Sequence, residues 1–131
     1  MELGPKQKEW IKWIRENESK YKCVNSLGSF EAGNNNLIEC CILGSLLYLE
    51  NKYVSNSLDL IDNSGSLCYL TGSYEELGLY DKSGTFKDKQ LEYSINSKTK
   101  SLSEANDELI PWNVIANFIE DNPEAVFNKS Y

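Results

Sequence analysis

The chain has 131 residues, 13 of them Lys or Arg against 20 Asp and Glu, for a formal net charge of −7. Arg15 is its lone arginine, and so sparse a cation set argues against duplex DNA or long RNA, whose phosphates are held by clustered Lys and Arg. With no histidine, four cysteines and 40% hydrophobic residues, the composition predicts one globular domain over residues 1–131, without a structural zinc site.

Pro5 is placed as a first-turn residue of a helix running to about Glu18, with Leu3, Trp10, Ile11 and Ile14 on its apolar face and Trp13 at the edge. Arg15 and Lys12 lie toward its polar side. Tyr21–Val24 reads as a short strand, and Asn25–Asn36, rich in Gly, Ser and Asn, as a loop pinned by Leu27 and Phe30. Leu37–Leu49 is almost wholly apolar and does not alternate. It predicts a helix buried on most sides, capped by Asn36, ending near Asn51 and too short for a bilayer. Glu39 would sit near its start, where exposed amides favour a carboxylate. Gly44 and Ser45 in mid-run imply a close neighbour.

Val54–Ser66 is polar and turn-rich around Asp62-Asn63-Ser64-Gly65, and lacks the ligand spacing of a calcium loop. Ser66–Thr71 predicts a strand, Ser73 to Gly78 one capped helical turn, and Asp81–Gly84 a further turn. Leu91, Tyr93 and Ile95 alternate within a predicted edge-strand region over Thr85–Ile95. Ser101 opens a single helical turn ending at Asn106-Asp107. Pro111 starts the last helix, with Trp112, Ile115, Ala116 and Ile119 inward. Asn122-Pro123 ends it and tucks in Val126 and Phe127. The predicted fold class is α+β: a central buried helix with two or three further helices on a small, mostly antiparallel sheet.

Adjacent Cys40 and Cys41 would diverge by about 100° on a helix, and no CxxC pair exists. The four thiols read as reduced and mostly buried, with a Cys23–Cys68 link left open. MELGPKQKEW lacks an apolar signal segment, so a cytoplasmic protein is expected. General-base work, without His, would fall to Glu39 or Asp107. No Gly-rich phosphate loop, nucleophile elbow or metal-ligand spacing is present, so no enzyme, cofactor or metal is expected. A ligand binder needs less: Lys20, Tyr21 and Lys22 set two cations beside an aromatic ring, next to the Asn-Gly loop.

Trp10, Lys20-Tyr21-Lys22, Leu27, Cys40-Cys41-Ile42-Leu43-Gly44, Tyr69-Leu70, Gly78-Leu79, Leu102, Asn106-Asp107 and Ile115-Ala116 follow one another in order. In this the chain resembles a group of small tailed-phage proteins whose signature is a Cys-Cys-Leu-Gly helix start and a later Leu…Asn-Asp segment before a helix with Ile-Ala. It departs by inserting Ile42 after the cysteine pair, and by Leu109-Ile110-Pro111 where the group has Gly and a polar cap. The resemblance implies a counter-defence protein of the host bacterial cytoplasm. Such a protein would be a homo-oligomeric sponge that sequesters a cyclic oligonucleotide signal of host immunity (the anti-CBASS class) without degrading it. Arg15, Lys20 and Lys22 would meet phosphates, Tyr21 would stack, and Asn106 and Asp107 would read the ligand's polar edges. The acidic charge also fits an alternative, a protein-directed inhibitor of a host nuclease or CRISPR complex.

Overall fold

The computed structural model describes residues 1–31, 36–53, 77–81, 83–87 and 101–131. The expectations for Val54–Ser66, Ser66–Thr71, Ser73–Glu76, Cys68 and most of Thr85–Ile95 lie outside the described residues.

Helix α1 spans Pro5–Tyr21. Gln7 reaches back to its start, its Oε1 accepting the Gly4 N–H at 2.8 Å. Helix α1 runs past Glu18 for two local reasons. The Trp13 and Tyr21 rings stack at 5.5 Å with a 17° interplanar angle, and the Lys22 ammonium lies 2.9 Å from the Glu18 carboxylate one turn back. The strand expected at Tyr21–Val24 is therefore reduced to one parallel bridge, Lys22 to Cys40.

A two-stranded antiparallel sheet follows, with β1 at Gly28–Phe30 and β2 at Leu37–Cys40. Gly28 faces Cys40, Ser29 faces Glu39, Phe30 faces Leu37, and a register shift falls between Ser29 and Phe30. Part of the expected loop is thus strand, and the expected helix over Leu37–Leu49 is corrected in its first third. Its opening residues are extended, with Ile38 54% exposed and Glu39 exposed on β2 rather than near a helix start. Helix α2 begins only at Ile42 and runs to Tyr53. Asn36 does not cap it; its carbonyl accepts the Glu31 N–H at the open end of the hairpin.

Helix α3 (Leu102–Asp107) opens on Ser101, whose hydroxyl accepts the Glu104 N–H at 3.1 Å. Helix α4 (Trp112–Asp121) carries the expected inward stripe of Trp112, Ile115, Ala116 and Ile119, together with Phe118. A 3-10 turn at Pro123–Ala125 then buries Val126 and Phe127. The four described helices and the small antiparallel sheet make an α+β fold. Helix α1 packs on α2, α4 and β2, and α2 on α3. One cluster of buried residues joins them, from Trp10 and Ile14 through Ile42, Leu46 and Leu47 to Trp112, Ile115 and Phe127. Among the described residues no helix is long and apolar enough to cross a membrane.

Gly44 supplies the gap anticipated in mid-helix. A Cβ there would stand 1.7 Å from the Leu27 carbonyl oxygen, so the β1 approach requires glycine. Ser45 beside it is fully buried. Its hydroxyl accepts from Trp10 Nε1 at 2.8 Å and donates to the Ile42 carbonyl at 2.6 Å, which joins α1 to α2.

Candidate functional site

The six residues expected to bind a ligand fall into separate places. Asn106 is fully buried, and its amide is used inside the protein. Oδ1 accepts the Ile42 N–H at 3.0 Å and Trp112 Nε1–H at 2.9 Å; Nδ2 donates to the Cys23 carbonyl at 2.8 Å and to Asp107 Oδ1 at 3.4 Å. Both lone pairs and both protons are engaged, so no base edge can be read by this amide. Its work is to cap α2 from α3, a junction between residues 64 positions apart.

Lys22 is similarly occupied. Its ammonium donates to Glu18 and, at 3.0 Å, to the Ile110 carbonyl, and lies 6.0 Å from the Trp112 ring centroid. The Tyr21 ring packs on Trp13, and the Lys20 ammonium stands 5.1 Å from that ring's centroid. Lys20 is exposed at the carboxyl end of α1. Arg15 lies five residues before Lys20, about 7.5 Å along the axis, and faces α4. Its Nη2 donates to Asn117 Oδ1 at 2.8 Å and Glu120 Oε1 at 2.6 Å. Asp107 is on another surface again: its Oδ1 accepts the Asn25 N–H at 3.0 Å.

Two hollows border these residues. The larger, about 710 Å³, runs along α1 and is lined by Leu3, Lys8, Ile11, Lys12, Arg15 and Pro123, together with Met1 and the carboxylates of Glu2 and Glu120. Lys8, Lys12 and Arg15 are spaced i, i+4, i+7, so they form one line on the helix over the apolar floor of Leu3 and Ile11. Lys8 and Lys12 are exposed, and their ammonium groups make no hydrogen bond or ion pair among the described residues. Sequence reasoning named Arg15 among the phosphate-binding residues but placed Lys12 only on the polar face and left Lys8 out. The signal that finds the row is the Lys8-Lys12-Arg15 spacing itself, in a chain with few cations. The second hollow, about 480 Å³, is lined by Asn25, Ser26, Leu27, Cys41, Leu43, Ser83, Ser103 and Asp107.

The three described thiols, Cys23, Cys40 and Cys41, are poor nucleophiles. Burial pushes Cys40 up strongly, Cys41 up against the opposing pull of the Gly44 and Leu43 N–H groups, and Cys23 to about 11, with the Glu39 carboxylate adding to the burial at Cys23. Glu39 is exposed on β2 and Asp107 is exposed at the end of α3. Among the described residues no three His, Cys, Asp or Glu side chains converge as a metal site.

Set against known proteins, the chain matches no family model, no curated protein and no solved structure. The resemblance to the tailed-phage group rests on the residues quoted for it.

Proposed function

We propose that this protein is a phage counter-defence factor that captures a cyclic oligonucleotide immune signal along α1 and holds it intact in the host bacterial cytoplasm. The observation that carries the reading is the row Lys8, Lys12, Arg15 over an apolar floor in a 710 Å³ hollow, on a chain of net charge −7. Lys8 and Lys12 suit successive phosphates, with Arg15, which is paired to Glu120, closing the row; the apolar floor suits a base face, and the volume falls within the range of small-ligand sites. Arg15 keeps its place in this reading. Lys20, Tyr21, Lys22, Asn106 and Asp107 lie outside the hollow's lining, and Lys8 and Lys12 enter.

Sequestration of a scarce signal calls for a nanomolar site, on the order of 12 kcal/mol of binding free energy. The hollow is open on one side, and a second copy of the chain covering it would exclude water and strengthen each phosphate contact. This is why a homo-oligomer belongs to the proposal.

The test is a thermal-shift panel of cyclic di- and trinucleotides, followed by heat denaturation and recovery of the ligand. One member should raise the melting temperature and be recovered unaltered. The Lys8→Glu/Lys12→Glu variant should lose that shift while melting normally without ligand. A folded sample that responds to none of the panel sinks the proposal, and a chemically altered ligand replaces capture with catalysis.

A further inference from the structure

The smaller hollow has the opposite character, and we propose that it receives a primary ammonium group carried on an alkyl chain. Ser103 and Asp107 are one turn apart on α3, so their side chains share a face. The Ser103 N–H donates to the Ser83 carbonyl at 3.2 Å, which sets Ser83 beside that face. All three residues line the hollow, with Leu27 and Leu43 also in its wall.

The unspent hydrogen-bonding groups decide the ligand. Asp107 Oδ1 is committed to Asn25 N–H and the Asn106 amide. Asp107 Oδ2 and the hydroxyls of Ser83 and Ser103 make no hydrogen bond among the described residues. Three acceptors, one of them charged, match the three N–H groups of a primary ammonium, and Leu27 and Leu43 offer its methylenes an apolar wall.

The surrounding charges agree. Among the described residues of the lining, Asp107 is the one formally charged group. It occupies the last turn of α3, a turn with no basic residue, where backbone carbonyls already disfavour a carboxylate and favour a cation. Asp81, whose carboxylate accepts the Ser83 N–H at 2.9 Å, adds negative potential. The amino end of α2 also borders the hollow, but its N–H groups at Ile42, Gly44 and Ser45 are bonded to Asn106 Oδ1, Cys41 Sγ and the Cys41 carbonyl. Among the described residues of this lining a phosphate meets no cationic side chain, and none of them lines the groove on α1.

The chemistry is shared by a free polyamine and by a lysine side chain of another protein. Titration of the full chain with cadaverine, with Nα-acetyl-lysine methylamide and with neutral 1-pentanol, followed by amide chemical shifts, tests it. Saturable shifts at Ser103, Asp107 and Leu43 with the amines, and none with pentanol, are expected. Tighter binding of cadaverine assigns a free amine, and tighter binding of the lysine derivative a protein side chain. Asp107→Asn keeps an acceptor for Asn25 while turning the open oxygen into a donor, and should weaken binding at least tenfold. Ser103→Ala, which leaves the Asn25 contact untouched, should weaken it several-fold and serves if the first variant misfolds. Equal shifts with pentanol, or amine binding unchanged in either folded variant, overturn the proposal.

Discussion

Asn106 shows how much a single amide can hold. Replacing it with Ala leaves the buried Ile42 N–H and Trp112 Nε1–H without their acceptor, each a loss of about 1–3 kcal/mol. Asn106→Ala should therefore lower stability by about 3 kcal/mol in urea unfolding, whereas Asn17→Ala, whose amide only returns to the Trp13 carbonyl one turn back, should change it by less than about 1 kcal/mol. Asp81 contributes to the acid limb of stability. Burial raises its pKa, but the Thr85 hydroxyl and the N–H groups of Thr85, Ser83 and Gly84 outweigh burial and hold it below the ordinary carboxylate value. A depressed folded pKa means that the contribution is present above about pH 4 and is lost as the pH falls through the lower folded value. Melts between pH 2.5 and 5 should show this loss, and Asp81→Asn should flatten it. The Cys23 thiol, at about 11, should alkylate at pH 8 on the order of a hundredfold more slowly than a free cysteine, measured by mass mapping of the native protein.

At the scale of elements, the junction between β2 and α2 is the sensitive point. Alanine in place of a helical glycine ordinarily gains about 1 kcal/mol. Gly44→Ala should instead cost at least about 2 kcal/mol, because the added carbon meets the Leu27 carbonyl; equilibrium unfolding of the variant decides the sign. The same junction marks where the sequence was readable and where it was not. Apolar periodicity found α4 to within about a residue and α1 to within about three at its carboxyl end, since each buries one stripe against a neighbour. Leu37–Leu49 has no periodicity, and an unbroken apolar run cannot distinguish a strand leading into a helix from one long helix. What divides it at Cys41 is tertiary: Leu27 takes the Cys41 N–H and Asn106 takes that of Ile42. The strand at Gly28–Phe30 was hidden for a related reason, as its pairing partner had been read as helix. Of the site, Arg15 was legible because it is the lone guanidinium. The roles of Lys22 and Asn106 were not, since exposed cations and buried tethers look alike until long-range partners are placed.

At the scale of the whole molecule, a strongly acidic chain carries two hollows on different elements, one holding the Lys8, Lys12 and Arg15 row and the other the Asp107 carboxylate. If the groove is completed by a second copy, sedimentation at micromolar concentration should give twice the chain mass or more, and ligand should raise that fraction; a monomer with and without ligand removes the shared-site part of the proposal. The tether at Asn106 also bears on how the chain is made. A ribosome delivers α1, the hairpin and α2 well before residue 106, so the first half of the nascent polypeptide emerges with the amino end of α2 uncapped and Trp112 absent from the core. That half is expected to remain a loosely collapsed, protease-sensitive intermediate until α3 clears the exit tunnel, so that synthesis delivers a protein which locks late and all at once.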